Sequence, residues 1–152
     1  MKTWRVYLSG EIHTSWREQI IEACEALSLP VHFDAPVTIH EDSDDCGAVI
    51  MGQEDNKFWY DHKGAKLNTI RTRTLLGEAD IVVVRFGDKY KQWNAAFDAG
   101  MASALNKPLI VMHDEALTHA LKEVDGAALA VTQTPEQVAA ILRYVIRGEL
   151  VR

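Results

Sequence analysis

Trp93–Pro108, with the sequence WNAAFDAGMASALNKP, says most about the architecture of this chain. The stretch lies between two apolar runs, Ala79–Val84 and Leu109–Met112, that are typical of buried parallel strands. It therefore predicts the crossover helix of a βαβ unit. Gly100, which is flanked by alanines, predicts the close approach of another backbone. Asp98 comes early in this helix, so a carboxylate is expected near the carboxyl ends of the strands, where α/β proteins bind ligands.

Five strand-like runs alternate with helical patterns along the chain. The predicted strands are Trp4–Leu8, Pro30–Phe33, Asp80–Val84, Leu109–Met112 and Ala127–Val131. The predicted helices run from Thr14 or Ser15 to about Ser28, and over Leu67–Gly77, 93–106, Leu117–Val124 and Pro135–Arg147. This alternation predicts a three-layer α/β fold with a five-stranded parallel sheet. We expect the flavodoxin-like strand order 2-1-3-4-5 in a single domain over residues 1–152.

Several helix ends carry capping signals. Thr14 or Ser15 is expected to cap the first helix in a capping box with Glu18. Gly77 is expected to end the helix before the third strand, because a glycine accepts the left-handed backbone of a C-cap. Thr134 is expected to cap the last helix.

Residues 34–66 show no regular periodicity. Within them, His40–Gly47 (HEDSDDCG) is polar and rich in turn formers. It is interpreted as a solvated loop, or as a loop that covers a pocket of this chain or of a neighbouring copy. The run lacks the spacing of a calcium loop and has no CxxC or HExxH partner, so no metal site is expected.

The composition of the chain restricts its partners. The 152 residues carry a net charge of -6, which argues against a nucleic-acid polymer and leaves small phosphorylated ligands open. No apolar run is long enough to span a bilayer, so no membrane association is expected. Cys24 and Cys46 form no CxxC pair, which favours a reduced, cytoplasmic compartment.

The expected strand order places a topological switch point between the first and third strands. The loops Ser9–His13 and Arg85–Tyr90 would follow those two strands. Both loops carry groups that bind ligands, including carboxylates, an imidazole and a guanidinium. The topology and the residue chemistry thus indicate the same ligand site.

Short motifs in the chain resemble those of the nucleoside 2-deoxyribosyltransferase superfamily. A first strand that ends in Leu8-Ser9-Gly10 and an Ala79-Asp80 pair before the third strand are two of them. The superfamily signature of one acid, spaced small residues and Lys-Pro is matched by Asp98, Gly100, Ala102, Ala104, Lys107 and Pro108. The chain is more narrowly similar to the YtoQ family within that superfamily, through Gly10–His13, Ser43–Gly47, Asn68–Arg73 and Arg85–Asn94.

This resemblance implies N-glycoside chemistry. In the superfamily, a glutamate at the position of Asp98 attacks the anomeric carbon of a nucleoside, and a second base or water resolves the covalent intermediate. Here the acid is one methylene shorter, Asn94 stands at a usual glycine position, and Thr72 at a usual aspartate position. The resemblance also implies no cofactor and a homo-oligomer, a dimer or higher, in which a neighbour completes the site. Residues 34–66 are the candidate contact between copies.

The site residues follow from the two loops, the 93–108 stretch and this resemblance. The candidate catalytic residues are Asp98, Glu11 and Asp88, of which Glu11 or Asp88 would hold the sugar or act as acid/base. The candidate substrate-binding residues are Ser9, Gly10, His13, Arg71, Arg73, Arg85, Gly87, Trp93 and Asn94.

Each group also has a purely structural interpretation. An acid early in a helix interacts with the helix dipole, and Asp88 beside Gly87 can cap a turn. Tyr90 and Trp93 can pack at a helix start or stack on a base. The arginines can clamp a phosphate, whose geometry a guanidinium matches, or pair with the excess acids of this chain.

Two functions from different classes remain. The leading hypothesis is an enzyme that cleaves or transfers the N-glycosidic bond of a small nucleoside or nucleotide. The alternative is a nucleotide-binding or sensing module without turnover. A flavodoxin-like electron carrier is disfavoured because residues 9–14, SGEIHT, do not form a Ser/Thr-rich phosphate loop.

Overall fold

The computed structural model describes all residues, 1–152, as a parallel sheet between helices. The strands are β1 (Trp4–Gly10), β2 (Val31–Asp34), β3 (Ile81–Arg85), β4 (Leu109–Met112) and β5 (Ala130–Thr132). The helices are α1 (Trp16–Ala26), α2 (His40–Met51), α3 (Lys57–Glu78), α4 (Trp93–Ala104), α5 (Lys122–Ala127) and α6 (Pro135–Arg147). All strand pairs are parallel, in the order β2-β1-β3-β4-β5. The predicted fold class and strand order are confirmed.

Two hydrophobic layers cover the two faces of the sheet. On one face, Val6 and Leu8 of β1 pack in a cluster with residues of α1 and α6. On the other face, Tyr7 packs in a cluster with residues of α3 and α4. Because side chains alternate along a strand, Ser9 shares the α4 face with Tyr7. β1 and β3 are buried on both faces, which explains why both read as continuous apolar runs.

Residues 34–66 correct the sequence prediction. His40–Gly47 is the first part of helix α2 and not a loop, and α3 begins at Lys57 and not at Leu67. The two helices form a hairpin in which a side chain on Gly47 would meet the Lys63 Cβ and the backbone of Gly64. Glycine contacts of this kind, rather than an apolar stripe, join the helices, so hydrophobic periodicity did not reveal them.

Three further boundaries differ from the prediction. Residues 117–124 do not form one helix: a 3-10 turn over Glu115–Leu117 is followed by α5, and Ala127 ends α5 rather than starting β5. Gly77 lies inside α3, whose C-cap is Ala79. No capping box forms at α1, because Ser15 makes no capping bond and the Thr14 hydroxyl binds Glu11 instead.

At the end of the chain, α6 begins as predicted, with Thr134 and Gln137 in a reciprocal capping box. Gly100 does not admit another backbone: it is exposed, and a side chain there would meet nothing within 4 Å. Ala95, Ala99 and Ala102 are the α4 residues that lie buried against the sheet. No helix combines the length and the apolar character that a bilayer crossing would need.

Candidate functional site

A cavity of about 940 Å³ opens at the carboxyl end of β1. It is bounded by the loop after β1, by α3 and by the start of α4. β1 and β3 are neighbours in the sheet but not consecutive along the chain, so the cavity lies at the switch point. Its volume is that of a pocket for a small organic ligand.

Asp98 is tied to the end of β1 inside this cavity. The Ser9 hydroxyl donates a hydrogen bond of 2.6 Å to Asp98 Oδ2, and Ser9 is fully buried. Burial raises the pKa of Asp98 above its ordinary value, and the bond from Ser9 offsets only part of that rise. No ion pair of the chain includes Asp98. The carboxylate therefore has one tethered oxygen, one oxygen without a protein partner and no neutralising cation.

Tyr7 is a buried polar group near Asp98, outside the cavity lining, that the sequence did not reveal. Its side chain is fully buried, and its hydroxyl has no hydrogen-bond partner. Burial raises the pKa of Tyr7 to about 12; Thr72 opposes that rise and the charge of Asp98 adds to it. Thr72 thus lies close to the phenol, although no hydrogen bond of normal geometry joins them. Tyr7 stands inside the apolar run of the first predicted strand, so nothing in the sequence marks it as a site residue.

Glu11 is buried and saturated with hydrogen bonds. It accepts from the backbone N–H groups of His13 and Thr14, from the Thr14 hydroxyl and from Arg85 Nε. Only 3% of its side chain is exposed. Burial raises the pKa of Glu11, but the bonds from Thr14, His13 and Arg85 outweigh it and leave the pKa below its ordinary value. A carboxylate in this state orders the loop, stays deprotonated at neutral pH and does not readily take up a proton.

Arg17 of α1 also fixes the loop after β1, and it was not identified from the sequence. Its buried guanidinium donates to the backbone carbonyls of Leu8, Gly10 and Glu11 at 2.7–3.1 Å. Burial lowers the pKa of Arg17 to about 10. An arginine within the apolar stripe of a predicted helix was the signal that could have revealed it.

Two predicted glycines keep the loop in contact with β3. Gly10 has φ +118°, and a side chain there would meet the backbone of Arg85, with its N at 2.7 Å. A side chain on Gly87 would lie 3.0 Å from Glu11 Cγ. Gly10 therefore excludes larger residues, both for reasons of space and for its backbone conformation, whereas a side chain at Gly87 would require Glu11 to shift by a few tenths of an ångström.

The three candidate arginines separate into two groups. Arg85 forms an ion pair with Glu11 at 3.2 Å and does not border the cavity. Arg71 and Arg73 border the cavity and take part in no ion pair. Arg71 Nε donates to the backbone carbonyl of Ala35 at 3.1 Å. Pairing with acids therefore accounts for Arg85 and not for Arg71 or Arg73.

Aromatic side chains border the cavity mouth. The ring centroids of His13 and Tyr90 are 4.9 Å apart, and those of His13 and His40 are 6.3 Å apart. Trp93 is 72% exposed, with Lys91 Nζ 5.6 Å from its ring centroid. Trp93 is thus not packed into the core, and its faces are available to a flat ligand.

Nine of the twelve predicted site residues border the cavity: Ser9, Gly10, Glu11, His13, Arg71, Arg73, Trp93, Asn94 and Asp98. Arg85, Gly87 and Asp88 do not. Asp88 is exposed, and a hydrogen bond with Asp114 raises its pKa. No group of three or more His, Cys, Asp or Glu side chains is arranged to hold a metal ion.

Comparison with known families assigns the chain to a class. The family model described as "Nucleoside 2-deoxyribosyltransferase YtoQ" matches residues 7–146. A protein of Bacillus subtilis (strain 168), described as "Uncharacterized protein YtoQ", is 44% identical over 144 residues, which cover 95% of this chain and 97% of that protein.

Solved structures agree on the fold. The 2-deoxyribosyltransferase of Bacillus psychrosaccharolyticus matches with a TM-score of 0.54 and 17% identity, over 89% of this chain and 90% of that one. A conserved protein of Enterococcus faecalis V583 matches with a TM-score of 0.62 and 13% identity, over 95% of this chain and 99% of that one. A de novo designed Rossmann 2x3 fold protein matches with a TM-score of 0.51 and 12% identity, over 99% of this chain and 96% of that one. At these identities the likeness establishes the fold alone.

Taken together, these matches make the chain a nucleoside 2-deoxyribosyltransferase-like protein. Within that class it belongs to the YtoQ family, as the sequence motifs predicted.

Proposed function

We propose that this protein cleaves or transfers the N-glycosidic bond of a nucleoside or nucleotide, with Asp98 as the nucleophile. One observation carries the proposal. Asp98 is a desolvated carboxylate at the switch-point cavity, held through one oxygen by Ser9 and paired with no cation. A carboxylate in that state can stabilise positive charge on an anomeric carbon or bond to it.

The reaction proceeds in two displacements. Asp98 attacks C1′ with an electron pair of its free oxygen, the C1′–N bond breaks, and the base leaves with that bonding pair and takes a proton from water. Water or a second base then attacks C1′, the bond to Asp98 breaks, and the attacking group loses a proton. The carboxylate is restored, and the two steps conserve charge and atoms.

The surrounding groups have distinct roles in this proposal. The Tyr7 hydroxyl is buried near Asp98, outside the cavity lining, and has no partner, so it is free to donate to Asp98. Asn94, four residues before Asp98 on α4, shares its helix face and contacts the sugar. Glu11 positions the loop after β1, because its hydrogen bonds leave it unsuited to the acid/base role that the sequence suggested. Asp88, outside the cavity, takes no direct part.

The proposal includes a homo-oligomer. Large apolar side chains are exposed on the helices that surround the cavity: Val49, Ile50 and Met51 of α2, Phe58 and Trp59 of α3, and Phe97 of α4. A second copy that covers them would also enclose the open side of the cavity. Light scattering tests this point, and a monomer at all concentrations would contradict it.

A binding module without turnover is the second candidate. The carboxylate of an aspartate stops one methylene short of that of a glutamate, and displacement of a reacting atom by about 1 Å can cost 10²-fold in rate. In this case the same cavity would hold a nucleotide without breaking it.

Chromatographic detection of free base separates the two. Ribonucleosides, 2′-deoxynucleosides and their 5′-monophosphates are incubated with the wild type, with Asp98→Ala and with Asp55→Asn, an exposed aspartate outside the cavity. The proposal expects base release that Asp98→Ala abolishes and Asp55→Asn preserves. Ligand binding without any base release would support the binding module.

A further inference from the structure

Some of the charged side chains that border the cavity form ion pairs, and others do not. Three permanent cations border it, Arg71, Arg73 and Lys91, and none of them forms an ion pair. The chain as a whole has six more acids than basic residues, so acidic partners are not scarce. Cations left free in an acidic protein have their charge available to a ligand.

The acids of the cavity do not neutralise these cations. Glu11 is paired with Arg85, and Asp44 lies 3.2 Å from His40. Asp61 precedes Arg71 by ten positions on α3, which separates them by about 15 Å along the helix axis. Asp98 is therefore the one lining acid that is neither exposed nor ion-paired, and Arg71 and Arg73 present exposed guanidinium groups to the same cavity.

Arg71 is already oriented for such a role. Its Nε is fixed on the Ala35 carbonyl, which leaves the two terminal nitrogens without a protein partner. Arg71 and Asp98 border the same cavity, so a ligand that meets Asp98 can also meet this guanidinium. Two parallel N–H donors of one guanidinium match two oxygens of a phosphate.

We propose that the substrate carries a phosphate, and that Arg71 and Arg73, with Lys91 from the facing loop, bind it while the sugar meets Asp98. The contact between the sugar and Asp98 rests on the proposed function, whereas the binding of the phosphate does not. The preferred ligand is thus a nucleoside monophosphate rather than a nucleoside. Arg85, the third candidate arginine of the sequence, is paired with Glu11 and takes no part in this binding.

Binding measured apart from turnover tests the inference. Isothermal titration of Asp98→Asn with nucleosides and their 5′-monophosphates gives each affinity without base release. We expect the monophosphate to bind at least about tenfold more tightly than its nucleoside, because the phosphate gains charge-assisted hydrogen bonds from guanidinium groups that have no ion-pair partner. The advantage should fall as NaCl is raised, because salt screens partly exposed charges.

Matched variants locate the phosphate. Arg71→Gln and Arg73→Gln in the same background should each remove most of the advantage, whereas Lys66→Gln, an exposed cation of α3 outside the cavity, should keep it. Arg73 makes no hydrogen bond within the chain, so its variant remains informative if Arg71→Gln unfolds.

The outcomes distinguish this inference from the proposed function. Equal affinity for nucleoside and monophosphate, an advantage that survives both arginine variants, or no binding of either form overturns the phosphate inference. Base release from nucleosides without any phosphate preference would leave the N-glycoside chemistry standing alone. A phosphate preference without base release by the wild type would support the phosphate inference and contradict the N-glycoside chemistry.

Discussion

The Ser9 hydroxyl lies 2.6 Å from Asp98 Oδ2 and joins the end of β1 to the second turn of α4, across 89 positions of sequence. The bond fixes one oxygen of the carboxylate and acts against the rise in pKa that burial causes. It thus combines two requirements of a nucleophilic carboxylate, a fixed direction and a retained charge.

Removal of this bond should be visible in the pH profile. In Ser9→Ala the pKa of Asp98 should rise further, because the bond that lowers it is gone. The acid limb of kcat/KM should therefore move to higher pH. Above that limb, kcat/KM should fall by about tenfold, because one oxygen of the nucleophile is no longer fixed. Ser103→Ala on α4, whose hydroxyl makes no hydrogen bond, is the control and should leave the profile in place. If the pH dependence of kcat/KM were unchanged in Ser9→Ala, the bond from Ser9 would not control the pKa of Asp98.

The charged carboxylate of Asp98 should lower the free energy of unfolding at neutral pH. Its pKa is raised in the folded state, so the folded protein binds the proton more tightly than the unfolded chain, and stability falls as pH rises through this range. Asp98→Asn should therefore raise the free energy of unfolding at neutral pH. The gain should shrink toward zero near the ordinary aspartate pKa of about 4, where the wild type is protonated too. Urea denaturation at both pH values measures it, with Asp55→Asn as the control that should show no gain.

Glu11→Gln should affect stability more than chemistry. The folded-state pKa of Glu11 is lowered, so its contribution is present above the ordinary glutamate pKa and is lost as pH falls through the lowered value. The variant should lose about 1–3 kcal/mol at neutral pH, because Arg85 keeps no charged partner, and less in acid. Its pH–rate profile should keep the wild-type shape. Loss of one limb of that profile would instead restore Glu11 as a proton donor or acceptor.

Gly10→Ala should disturb the loop through the backbone. The positive φ and the contact with the Arg85 backbone leave no room for a Cβ, so a loss of about 1–3 kcal/mol is expected. Gly100→Ala is the matched control: its position is open, and alanine in a helix interior should stabilise by up to about 1 kcal/mol. Equal thermal shifts for the two variants would contradict the structural account of Gly10.

The fold was predictable because its determinants are local. The apolar runs that became β1, β3 and β4, and the helix between the last two, follow directly from composition and spacing. Asp98 could be placed for the same reason, since a residue early in a crossover helix must lie near the carboxyl ends of the strands.

The rest depends on contacts between distant residues. Glu11 was a candidate acid or base, but its ion pair with Arg85, 74 positions away, and the bonds from its own loop leave it without a free oxygen for that role. Tyr7 looked like core, and its unpartnered hydroxyl can be recognised only once Asp98 lies beside it. The α2 helix was missed because Val49, Ile50 and Met51 are exposed and Gly47 makes the packing contact instead.

The most direct test of the central claim is the mass of the enzyme quenched during turnover. Wild type mixed with excess substrate should carry an added glycosyl group, located by peptide mapping on Asp98, and Asp98→Ala should carry none and release no base. Base release by the wild type with no adduct, or with an adduct on another residue, would contradict the assignment of Asp98 as the nucleophile.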